Sequence, residues 1–74
     1  MEDQLRRVMA DVLDLDPDAI DGGTTRDSVE SWDSLKHIML CLALEEEFKV
    51  SFDVHEIEAM MTYDDMVQVL QQKL

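Results

Sequence analysis

The centre of the chain reads Ser31-Trp32-Asp33-Ser34-Leu35-Lys36-His37-Ile38-Met39-Leu40-Cys41-Leu42-Ala43-Leu44-Glu45-Glu46-Glu47-Phe48-Lys49. Seven consecutive apolar residues, Ile38 to Leu44, occupy its middle. The run is far too short to span a bilayer. No strict alternation and no β-branched cluster marks a strand, so the stretch reads as a helix that starts near Asp33-Ser34 and ends around Lys49. For nearly two turns this helix is apolar all round, whereas a helix on the surface of a small bundle needs only one apolar stripe. The pattern predicts a central helix touched by the other elements, with apolar surface left over for a ligand or partner. Met39 and Leu42 lie four and seven residues beyond Leu35, on a face shared with the helix start. They are the expected carriers of that surplus.

Working outward, Leu5, Val8, Met9, Val12 and Leu13 recur at helical spacing and predict a first helix from Glu2 to Leu13 or Asp14. Glu2 and Asp3 suit its positive N-terminal end. Pro17 follows, and the periodicity fails from Asp14 to Asp33. Gly22-Gly23-Thr24-Thr25 reads as open loop, pinned to the core by Ile20 and Val29. A loop this long in so short a chain is often functional. On the other side, Val50-Ser51-Phe52 reads as an extended link. Asp53 can cap a brief third helix through Met60 that uses Ile57 and Met60. Thr62 with Asp65 three residues on resembles a capping box, and Tyr63, Met66, Val67, Leu70 and Leu74 form the stripe of a last helix. The expected fold is all-α: a four-helix bundle with a short third helix and a long loop between helices 1 and 2, in a single domain over residues 1–74.

Eighteen acidic residues against six Lys and Arg give a formal charge of -12 over 74 residues. Such a chain repels phosphate, which argues against nucleic acid and against an anionic membrane surface, and favours basic partners. Hydrophobic residues make up 46%, too many for a disordered acidic tail. Cys41 is the lone cysteine, so no internal disulfide forms, and with two His the ligands for a structural zinc site are too few. The acidic start, Met1-Glu2-Asp3-Gln4, lacks the features of a signal peptide, so cytoplasmic residence is expected. The chain is also expected to be a monomer.

Ser34 stands in the first helical turn, where unpaired backbone N–H groups and the helix dipole favour a phosphate. His37 could reach it across one turn. A Ser–His pair without an orienting acid or oxyanion hole is weak evidence for hydrolysis.

Asp33-Ser34-Leu35, then nine residues, then Glu45-Glu46-Glu47-Phe48 resembles an acyl carrier protein of the discrete, single-domain type. The likeness covers nearly the whole chain, including the acidic first loop and the short third helix. It implies that Ser34 is the attachment point of 4'-phosphopantetheine, delivered from coenzyme A by a phosphopantetheinyl transferase. The arm's thiol would hold an acyl group as a thioester, and the carrier itself would be no enzyme. Asp33 matches the family's Asp that helps hold Mg²⁺ and coenzyme A, so Mg²⁺ is implied during loading only. Leu35 matches the apolar residue that partner enzymes pack against.

Where many members of that family carry acids early in the helix that starts near Asp33-Ser34, this chain has Lys36, His37 and Met39. The acidic partner surface for synthase, ligase or acyl-transferring enzymes with basic patches is then expected on Glu45, Glu46, Glu56 and Glu58. Lys36 interrupts the acid beside Ser34. Trp-Asp-Ser-Leu followed closely by His resembles specialised carriers that serve secondary metabolism, cell-envelope sugars or unusual starter units, so the expected role is in fatty-acid-like, polyketide or other specialised biosynthesis rather than the main fatty-acid pathway. Six methionines suit an interior that must adapt to a cargo, or ordinary core filling.

Three rivals stand beside this reading. Aminoacyl and peptidyl carriers share the fold and the Ser. Asp14, Asp16 and Asp18 match the start of a calcium loop, but Ala19, Pro17 and Thr25 break the pattern. A non-covalent acidic interaction module would leave Asp33-Ser34-Leu35 unexplained. Asp27-Ser28, a second Asp-Ser pair, is followed by no helix start. The acids fall in two stretches: eight from Asp11 to Asp33 against Arg26, and eight from Glu45 to Asp65 against Lys49.

Overall fold

The computed structural model describes every residue, Met1–Leu74. Its helices are α1 (Glu2–Leu13), α2 (Ser34–Phe48), α3 (Val54–Ala59) and α4 (Tyr63–Lys73), with no strand and one 3₁₀ turn, Pro17–Ala19. This is the expected four-helix arrangement, with the short helix third and the long connection between α1 and α2. No helix is long and apolar enough to cross a membrane.

The packing follows from the periodicities. Helix α1 buries Leu5, Met9 and Leu13, α2 buries His37, Leu40, Cys41 and Leu44, and α4 buries Tyr63, Met66 and Leu70. Ile20 and Trp32 from the loop, Phe52 from the α2–α3 link and Met60 after α3 complete one core. Each fully buried Leu or Met contributes roughly 1.5–3 kcal/mol from removal of apolar area from water. Val67 is half-buried against the core, but Leu74 departs from the predicted stripe. It follows the last helical residue and lies open to solvent, so α4 uses only its inner turns for packing.

Helices α1 and α2 end alike. Asp14 and Lys49 take left-handed angles, φ 57° and 58°. The next residue's N–H reaches back five residues, Leu15 to the Ala10 carbonyl and Val50 to that of Glu45. Glycine usually fills such a position, because a side chain there crowds the following carbonyl.

The α1–α2 connection is more structured than its composition predicts. Asp16 caps the 3₁₀ turn by accepting from Asp18 N–H. Asp21 Oδ1 accepts from Gly23 N–H at 2.8 Å, and Thr24 Oγ1 accepts from Asp21 N–H at 3.0 Å. Thr24 is buried, Thr25 pairs with Thr62 in an isolated antiparallel bridge, and Tyr63 N–H donates to the Thr24 carbonyl. The stretch expected to be open loop is thus docked on the α3–α4 junction. Ile20 is buried and Val29 half-buried against the core, as expected of its anchors. Short-range turns made by Asp and Thr side chains supply the order that helical periodicity does not reveal.

Asp53 and Glu56 form a full capping box at α3, each carboxylate accepting from the other's backbone N–H. At α4 the box is only half made. Thr62 Oγ1 accepts from Asp65 N–H, but the Asp65 carboxylate turns to Met61 N–H instead of Thr62.

Candidate functional site

Asp33 begins the site. Its backbone is extended, φ -94° and ψ -174°, and its Oδ1 accepts from Lys36 N–H at 2.8 Å. This cap places Ser34 as the first residue of α2, exposed to solvent. The N–H groups of Ser34 and Leu35 find no acceptor within the chain and point out of the helix end. The other Asp33 oxygen, Oδ2, also has no partner within the chain.

The Ser34 hydroxyl has one partner. Arg26 Nη2 donates to Ser34 Oγ at 3.0 Å. Sequence reading missed this contact, since the two residues are eight apart across an aperiodic loop. Arg26 N–H donates to the Met61 carbonyl, so the bridge between the loop and the α3–α4 junction positions the guanidinium.

His37 does not serve Ser34. It is buried, with Nδ1 3.0 Å from Trp32 Nε1 and Nε2 2.7 Å from the Ile57 carbonyl. Both ring nitrogens are occupied, so the arrangement offers Ser34 no general base from its own helix. Trp32 is 3% exposed and stacks near the His37 ring. Ser31, beside it, donates its hydroxyl to the Leu13 carbonyl at the end of α1. Three residues in a row before Ser34 are therefore fixed by a core contact, a helix end or a cap.

Beyond Ser34 the outer face of α2 is apolar. Leu35, Met39 and Leu42 are 68%, 43% and 60% exposed, as their spacing predicts. Ile38, at 49%, joins them. At about 100° per residue these four lie opposite the buried His37, Leu40, Cys41 and Leu44, so the all-round hydrophobicity resolves into a core face and an outer face. Val54 on α3 and Met61 after it are also exposed, and sequence reading identified none of Ile38, Val54 and Met61. Ile38 was legible as the residue four beyond Ser34 and four before Leu42. The methionines split accordingly: Met9, Met60 and Met66 fill the core, while Met1, Met39 and Met61 are exposed.

The acidic residues expected to face partners fall into two groups. Glu46 and Glu58 are exposed. Glu45 is half-buried and its carboxylate accepts from Phe52 N–H at 2.8 Å, which ties the α2–α3 link to α2. Glu56 closes the α3 capping box and pairs with Lys73 at 2.9 Å. Lys36 is half-buried one residue from the site. An open concavity runs between α1 and α2, lined by Val8, Val12 and Ala43 with Gln4, Arg7 and Glu46. Ala43 is nine residues along α2 from Ser34, roughly 13 Å at the helical rise.

Ser28, of the second Asp-Ser pair, donates its hydroxyl to the Thr25 carbonyl within a local turn. Cys41 is buried, and desolvation, with the Glu45 charge second, pushes its thiol up to about 11, so it is a poor nucleophile.

No curated protein matches the chain. Residues 3–70 match the family model described as phosphopantetheine attachment site. Its members carry a covalently attached 4'-phosphopantetheine and interact with a phosphopantetheinyl transferase and partner enzymes. The match takes in the Ser34 turn, all of α2 and α3 and most of α1 and α4, and on that extent the chain belongs to the phosphopantetheine attachment site family of carrier domains, which are generally non-catalytic.

Proposed function

We propose that this protein is an acyl carrier whose prosthetic arm is joined to Ser34. The observation that carries the reading is the exposed Ser34 hydroxyl at the first position of α2, with two free backbone N–H groups beside it and an apolar face running down the same helix. The residues fit the group: Ser34 is exposed, its oxygen meets only the Arg26 guanidinium, and the free N–H groups suit an anionic phosphodiester. When bound, the arm supplies a flexible thiol that holds the cargo as a thioester.

The chain's own residues do the rest. Ser34 Oγ would be the nucleophile toward phosphorus of coenzyme A, with adenosine bisphosphate as the leaving group and a base of the transferase taking the hydroxyl proton. Asp33 caps α2 with Oδ1, and its carboxylate would help hold the Mg²⁺ used in loading. Leu35, Met39 and Leu42 offer partner enzymes an apolar contact, and Glu46 and Glu58 offer charge to their basic patches. Glu45 and Glu56 serve that surface through the fold they hold together. Lys36, a cation where relatives carry acid, fits a carrier dedicated to one specialised pathway.

The test is intact mass. Apo protein treated with coenzyme A, Mg²⁺ and a broad-specificity transferase should gain the mass of one arm, and Ser34→Ala should gain none. Absence of the gain, or its survival in Ser34→Ala, refutes the carrier reading. Offering the loaded protein acyl-activating and amino-acid-adenylating enzymes in parallel then separates an acyl from an aminoacyl carrier. Acylation by the latter alone refutes the acyl assignment.

A further inference from the structure

We propose that Arg26 is a binding residue for the phosphate of the arm, which it grips from the α3–α4 side of Ser34. The inference rests on Ser34 as the attachment point. The Arg26 Nη2 lies 3.0 Å from the oxygen that becomes the phosphoester oxygen. A phosphorus joined to that oxygen carries its two charged oxygens one bond further, within the sweep of the same guanidinium. Arginine's planar fork matches two such oxygens at once.

The charge of Arg26 is free to do this. The chain has eighteen acidic residues, yet no carboxylate lies within 4.0 Å of the Arg26 guanidinium. Arg6 pairs with Asp3 and Lys73 with Glu56. Arg26 instead directs its nitrogens to the Ser34 hydroxyl and the Met61 sulfur, neutral partners that are easily exchanged for an anion. Its backbone is fixed, because Arg26 N–H donates to the Met61 carbonyl at 2.9 Å and Thr25 is bridged to Thr62. The cation is thus held in place without being neutralised. It also offsets Asp33, whose carboxylate one residue before Ser34 repels a phosphodiester. With the phosphate held on this side, the arm leaves the protein over Met61 and the end of α3. The contact ties the first loop to α2, so loading stabilises the fold.

The experiment compares apo and loaded forms of the wild type, Arg26→Gln and Arg26→Lys by intact mass, thermal melting and phosphorus NMR. Loading should raise the wild-type Tm by roughly 2–6 °C, the scale of one partly exposed ion pair in a domain of this size. The gain should vanish in Arg26→Gln, survive in part in Arg26→Lys, and shrink at high salt. The phosphorus resonance should differ between loaded wild type and loaded Arg26→Gln. Equal Tm gains with the same phosphorus signal in both overturn the role of Arg26 and leave the carrier reading intact. Failure of the wild type to gain mass overturns the carrier reading itself. The wild type alone supplies a further check: the Arg26 Nε–H resonance should move on loading while those of Arg6 and Arg7 stay, and an unmoved Arg26 overturns the assignment.

Discussion

Trp32 can only donate from its indole N–H, so His37 Nδ1, 3.0 Å away, must accept. The ring proton then sits on Nε2 and is donated to the Ile57 carbonyl at 2.7 Å. One neutral tautomer of one buried ring links the residue before the Ser34 cap to α3. His37→Phe keeps a flat aromatic ring, one atom larger, but strands the buried Trp32 donor and the half-buried Ile57 carbonyl. It should cost about 1–3 kcal/mol, read as a lower urea midpoint, whereas Ser34→Ala at an exposed position should stay within about 0.5 kcal/mol of wild type. Equal midpoints for the two variants would contradict this. Two further residues set the alkaline limit. Burial pushes the Cys41 thiol from 9.0 up to about 11, and burial with the Glu2 hydrogen bond pushes Tyr63 from 10.0 up to about 12. The unfolded chain loses both protons first, so it binds fewer protons than the folded one across this range. Stability should be unaffected by these groups below pH 9 and fall as pH rises from 9 toward 12. A urea titration at successive pH values checks this, and Cys41→Ala should flatten the lower part of the fall. The position of Ser34 at a helix start was legible from local pattern. The Trp32–His37–Ile57 chain was not, because it joins residues through the core and leaves no periodic trace.

Helix ends show what a sequence reveals at the next scale. The apolar spacing of α1, α2 and α4 located their bodies, and Asp53 and Thr62 located two starts, since a capping side chain acts within three residues. The stops of α1 and α2 carry no glycine, so the usual signal is missing, and Asp14 and Lys49 take the left-handed conformation against their preference. The loop's order depends on Asp and Thr turns and on the Thr25–Thr62 bridge, a pairing 37 residues apart that no local rule supplies. The two stops are not equivalent. Relief of left-handed strain is worth roughly 1–2 kcal/mol and the added chain entropy of glycine costs roughly 0.5–1 kcal/mol. At Asp14 the substitution also removes a negative charge from the negative end of α1, while at Lys49 it removes a favourable positive one, each worth about 0.3–1 kcal/mol. Asp14→Gly should therefore raise stability by about 1 kcal/mol, or roughly 4–8 °C in Tm. Lys49→Gly should change it little. Matching melting curves for the two variants would show that strain alone, without the dipole, governs both ends.

Over the whole molecule the charge of -12 is spread through a body of 26 × 23 × 19 Å. The screening length is about 30 Å at 0.01 M salt and about 10 Å at 0.1 M, so at low salt every acid acts on every other, and near 0.1 M only neighbours do. Much of this charge has a structural use: Asp16, Asp33 and Asp53 cap turns and helices, Glu45 holds the Phe52 N–H, and Glu56 holds both its capping box and Lys73. Glu46 and Glu58 have no such duty and stand exposed, so they are free to steer a basic partner. The two kinds of acid should separate in one experiment that follows both transferase loading and urea unfolding. Reversing charge at Glu58 should slow loading by about 3- to 10-fold at low salt, with the difference fading as salt rises, and should leave the urea midpoint near wild type. Glu45→Ala should do the opposite, lowering stability by about 1–2 kcal/mol through the unpaired Phe52 N–H while changing the loading rate of the folded protein little. If Glu45→Ala slows loading as much as the Glu58 reversal does, steering depends on the total charge of the molecule and not on which acids the fold leaves free.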